Sequence, residues 1–100
     1  MRYGLNDKTI EKISGVFRKY PQIHKAILFG SRALGNYKNG SDIDLTFIGE
    51  GLSLTILNKI SNDLDDLLLP YSFDLSIFND LTNKDFIDQI NRVGVVFFLA

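Results

Sequence analysis

The chain has no cysteine and a single histidine among its 100 residues. Disulfides and thiolate metal sites are therefore excluded, and His24 has no second imidazole or thiol with which to hold zinc or build a Ser-His-Asp set. His24 is read as structural. Neither charge is in excess: 11 basic and 12 acidic side chains leave a net charge of −1. A surface that coats DNA or RNA needs a clear basic excess, so generic nucleic-acid binding is not expected. A single nucleotide is another matter, because a metal and a few local donors can hold a triphosphate. Long apolar runs are also missing. The longest, residues 95–100, falls far short of a membrane span, and the N-terminus lacks the apolar stretch of a signal peptide. With no repeat, low-complexity tract or linker, the expectation is one cytoplasmic domain over residues 1–100 with a modest core.

Proline is scarce, and both prolines follow helical patterns. Asn6 or Asp7 can cap a first helix reaching about Tyr20, with Ile10, Ile13, Val16 and Phe17 at helical spacing; Pro21 ends it. Residues 24–29 form a short strand closed by Gly30, and residues 31–34 start one helical turn stopped at Gly35. Residues 36–41 are a polar loop rich in turn formers. Residues 42–48 alternate polar and apolar side chains, as a strand does. Ser53 can cap a second long helix to about Leu68, ended by Pro70. Residues 72–78 are a third strand. Thr82, with Asp85 three residues on, resembles a capping box for a last helix carrying Phe86, Ile87 and Ile90. Residues 93–100 form an apolar tail, read either as a fourth strand or core plug or as a surface for a partner.

Strand alternation gathers the acids. Asp42, Asp44 and Thr46 share one face of the second strand, and Asp74 and Ser76 share one face of the third. The helix between these strands makes a parallel pair the expected arrangement, which would bring Asp74 beside Asp42 and Asp44. If the first and second strands pair antiparallel, Ser31 reaches the same rim. The fold expected is α+β in two layers: a mixed sheet of three to four strands, with helices on its apolar face and acids on the open one.

Carboxylates two residues apart on a strand point the same way and suit hard, oxygen-seeking ions such as magnesium. A third carboxylate can complete the site or accept a proton, and Asp74 stands in an apolar strand where an unpaired charge would be costly. Gly30-Ser31 marks a strand-to-helix turn, where free amides and a hydroxyl favour phosphate. Arg32 could add a charge-assisted contact, and Lys38 a looser one. An EF-hand fails on the same residues: counted from Asp42, Phe47 stands where glycine is needed and Ser53 where glutamate is needed. Tyr3, Tyr20, Tyr37 and Tyr71 are scattered and read as packing or surface.

The string GSRALGNYKNGSDIDL, with FDLSIF around Asp74, resembles the signature of the DNA polymerase β-like nucleotidyltransferase superfamily, in particular its minimal bacterial and archaeal members. The resemblance implies metal binding by Asp42, Asp44 and Asp74, with two magnesium ions, or manganese, as the cofactor. It implies nucleotide contacts from Gly30, Ser31 and Arg32, and transfer of NMP from an NTP, usually ATP, to an acceptor hydroxyl. Many minimal members act as antitoxins beside an all-helical HEPN-type toxin, some by adding AMP to its tyrosine. Larger relatives carry a further helical domain, so a HEPN-type partner or a homo-oligomer is expected to complete the site here. Two rival functions follow from the same residues: a binding antitoxin that silences its partner without turnover, and a nucleotide-sensing subunit.

Overall fold

The structure is a computed structural model describing residues 1–100. Its elements run α1 (Asp7–Phe17), β1 (Ile23–Phe29), α2 (Ser31–Leu34), β2 (Ile43–Gly49), α3 (Leu54–Asp65), β3 (Phe73–Ile77), α4 (Lys84–Val93) and β4 (Val95–Leu99), with a 3-10 turn at Phe78–Asp80. Side-chain caps decide where the long helices begin. Asn6 Oδ1 accepts from the Thr9 amide at 2.7 Å, and Ser53 Oγ accepts from the Ile56 amide at 3.3 Å. The last helix corrects the expected capping box. Its cap is Asn83, whose Oδ1 accepts from the amides of Asp85 and Phe86, so Thr82 lies outside it. Two helices also stop earlier than their apolar spacing suggests. α1 ends at Phe17 and α3 at Asp65, and beyond α3 Leu68 takes φ +56° with its side chain in solvent.

The sheet order is β3-β2-β1-β4. β2 and β3 are parallel, as the α3 crossover requires, while β1 runs antiparallel to both β2 and β4. The apolar tail is therefore a fourth strand, with Leu28 opposite Val95 and Ala26 opposite Phe98.

One face of the sheet carries the main core. Ile13 and Phe17 of α1, Leu28, Leu45 and Phe47 of the strands, and Ile60 and Leu64 of α3 are buried together. Phe17 meets Phe47 edge-on, with ring centroids 5.2 Å apart. Each such side chain contributes about 1.5–3 kcal/mol by leaving water. α4 lies across the opposite face over β1, where Phe86 packs near Phe29 at 6.4 Å and Ile90 is buried. Helices thus occupy both faces: Ile27 and Phe29 make the acid-bearing face of β1 apolar, and that stripe needs a cover of its own. No helix is long and apolar enough to cross a membrane.

Candidate active site

Register, not chain proximity, assembles the acids. Asp44 of β2 sits opposite Phe29 of β1 on one side and directly opposite Asp74 of β3 on the other. Asp42 lies just ahead of β2, two residues from Asp44, at the same end of the strand. Phe29 is followed at once by Gly30, so the Gly30-Ser31 turn reaches this end as well. Gly30 has φ +74° and ψ −156°, a conformation open in practice to glycine alone. A Cβ built there would lie 2.2 Å from Asp44 Oδ2. The space a side chain would take at Gly30 is therefore filled by the Asp44 carboxylate, which packs against the turn.

Electrostatics single out Asp44. Burial pushes its carboxyl up to about 6 from 3.8, and the charges of Asp74 and then Asp42 push in the same direction. At neutral pH it is still mainly ionised, held among like charges in partial shelter from water. Such a field favours a cation. Asp74 itself is exposed, as is Asp42, and this corrects the expectation that Asp74 is the costly charge. β3 is an edge strand, so one rim of Asp74 faces water, while Asp44 sits on an inner strand between two others.

The three carboxylates do not close into a ready-made cage. Their mutual repulsion opposes closure, and magnesium needs none, because it keeps several waters and borrows phosphate oxygens. All three offer hard oxygen donors from one rim, so the residues fit a divalent cation. Two cavities of about 240 Å³ lie outside this rim, one lined by Leu34, Asp88 and Arg92 and the other by Tyr37, Lys38 and Tyr71. A rim that clamps a metal-bound phosphate can work as an open surface, and the register and charge of the acids outweigh cavity shape here.

Among the expected nucleotide-binding residues, Gly30 and half-buried Ser31 stand at the rim. Arg32 does not offer its guanidinium there. It is 3% exposed: Nε and Nη2 donate to the Ser41 carbonyl at 3.0 and 2.9 Å, and Nη1 donates to the Tyr3 carbonyl at 2.9 Å. Its head lies over the rings of Tyr37 and Tyr71, 5.3 and 5.0 Å from their centroids. Lys38 is exposed on the loop, with its amide donating to Ser41 Oγ. Sequence reasoning missed Ser41, whose carbonyl and hydroxyl both tie down the loop. A serine in a polar loop gives no spacing signal for such a role.

The family profile described as polymerase beta nucleotidyltransferase matches residues 11–100. The chain belongs to this family. Its members typically work with divalent metal ions, in keeping with the hard-oxygen donors at the rim. Among solved structures, a toxin–antitoxin with AMP-PNP is similar, with 22% identity over 96% of this chain and 75% of that one, at a TM-score of 0.72. A tri-AMPylated Shewanella oneidensis HEPN toxin in complex with an MNT antitoxin is similar at 18% identity over 96% and 74% of the two chains, with a TM-score of 0.70. A Sulfolobus solfataricus nucleotidyltransferase shares 19% identity over 96% of this chain and 91% of that one, with a TM-score of 0.52. At these identities the likeness establishes the fold. Among curated proteins, none matches the sequence.

Proposed function

We propose that residues 1–100 act as one nucleotidyltransferase domain, moving AMP from ATP to a hydroxyl on a HEPN-type partner protein. The observation that carries this reading is the register that places Asp44 opposite Asp74, with Asp42 and the Gly30-Ser31 turn at the same strand ends. The AMP-PNP and AMPylated-toxin complexes among the similar folds support the choice of nucleotide and partner.

Asp42 and Asp44 hold the divalent metal, and Asp74 completes the set. Bound there, magnesium would neutralise charge on the triphosphate and the attacking oxygen. Ser31, with the amides opening α2, binds phosphate and fixes the triphosphate against the rim. The acceptor oxygen forms a bond to the α-phosphorus as the bond to the bridging oxygen breaks, and pyrophosphate departs with that electron pair. The hydroxyl proton passes to Asp74, whose exposure leaves it open to an incoming acceptor.

The test is incubation with α-labelled ATP, magnesium and the HEPN-type partner. Label on the partner that disappears in Asp42→Ala/Asp44→Ala supports transfer. A tight, silencing complex that carries no label would overturn it in favour of occlusion.

A further inference from the structure

Arg32 is the one buried charged residue of the chain, 3% exposed at the wall of the cavity beside Tyr37 and Tyr71, and it has no carboxylate partner. The ion pairs of the protein are Arg18 with Glu11 and Arg92 with Asp88, both on the surface. Burying an unpaired guanidinium is costly, so the three carbonyl bonds and two aromatic faces around it must be held firmly in place. Those partners come from three separate segments. Ser41 O belongs to the peptide bond leading into Asp42, Tyr71 lies just ahead of β3 and Asp74, and Tyr3 O belongs to the N-terminal turn.

The N-terminal turn that supplies Tyr3 O is closed by its own reciprocal backbone bonds between Arg2 and Leu5. Tyr3 takes φ +60°, in the left-handed region that side chains avoid. At Gly4, with φ +74°, an added Cβ would lie 2.5 Å from the Tyr37 ring and 2.8 Å from Arg32 Nη1. Backbone held in sparsely populated conformations persists where the surroundings over-determine it. Here the Arg2–Leu5 bonds close the turn, and Arg32 Nη1 ties its Tyr3 carbonyl to α2. Arg32 also follows Ser31 directly on α2, so a single helical turn carries both the phosphate-side hydroxyl and this tether.

We propose that Arg32 is a positioning residue: its fork on the Ser41 carbonyl and its stack on Tyr71 fix Asp42 and Asp74 relative to the Gly30-Ser31 turn. This rests on the nucleotidyltransferase reading above and adds to it a residue that shapes the metal site without touching substrate. The polar loop at 36–41 has too little packing of its own to hold Asp42, and most of its residues are exposed.

The test compares the wild type, Arg32→Lys and Tyr71→Leu by Mn²⁺ titration of the nucleotide-free protein and by transfer kinetics, with melting curves to identify folded material. Lysine keeps the charge but loses the planar fork. Arg32→Lys should weaken Mn²⁺ binding, and raise the magnesium needed for half-maximal transfer, by about tenfold. KM for ATP at saturating magnesium should barely move. Tyr71→Leu should shift metal affinity in the same direction, which keeps the test decisive if Arg32→Lys folds poorly. An unchanged metal affinity in folded variants would overturn the positioning role, and so would a raised KM for ATP at unchanged metal affinity. A wild type that neither binds Mn²⁺ nor transfers label would overturn the underlying function as well.

Discussion

Under α1 and α3, Leu28, Leu45 and Phe47 point into a closed apolar layer and are fully buried. On the opposite face β2 and β3 present Asp44, Thr46, Asp74 and Ser76, the last with a buried Oγ that has no partner. One face of the sheet is a closed apolar layer throughout, whereas the other is apolar only under α4 and holds like charges close together where β2 meets β3. The acid rim is tolerated because the layer behind it is complete. Metal and phosphate would relieve strain that the isolated fold carries.

That contrast can be broken from either side. The largest effect is expected from Asp42→Ala/Asp44→Ala, which should lower transfer by about a thousandfold or more while leaving the fold intact. Labelled transfer measured beside a melting curve checks both halves. Ile13→Ala, on the core face, should do the reverse. It should cost about 3 kcal/mol in urea unfolding, while folded protein keeps its metal affinity.

Gly30→Ala should hurt on both counts. Its backbone conformation costs a side chain about 1–3 kcal/mol, and the new Cβ would displace Asp44. Stability with little loss of transfer would show that the Asp44 carboxylate does not need this close approach.

The smallest effect concerns pH. Asp44 binds its proton more tightly folded than unfolded, so the metal-free fold should lose stability as pH rises from about 4 through about 6. Asp44→Asn removes that penalty. Because the side chain is only partly sheltered, solvent screening reduces the expected gain at pH 8 to about 1 kcal/mol, and it should vanish below pH 4. Urea midpoints at the two pH values decide it, and a gain that persists at low pH would refute the electrostatic cause.

Much of this architecture is legible in the chain. The alternation in residues 42–48, the α3 crossover and the glycine ending β1 together specify which strands pair and which acids meet. Other features depend on tertiary context. Asp74 looks costly in an apolar run, yet its strand proves to be an edge, which only the sheet order reveals. Arg32 beside a phosphate-type turn looks like a phosphate ligand. Ser41, Tyr71 and Tyr3 claim it instead, and nothing in their spacing marks three residues from separate segments as one cluster. Asn83 takes the cap from Thr82 by a one-residue difference, within the margin at which helix ends are set by local geometry.

In the reading proposed above, Asp42, Asp44 and Asp74 form one cation site beside the Gly30-Ser31 turn. Paramagnetic broadening of backbone amide signals by substoichiometric Mn²⁺ tests it most directly. The amides of Gly30, Ser31, Asp42, Asp44 and Asp74 should broaden first, and Asp42→Ala/Asp44→Ala should abolish the effect. Broadening centred on another acidic stretch, such as Asp63, Asp65 and Asp66 at the end of α3, would contradict it.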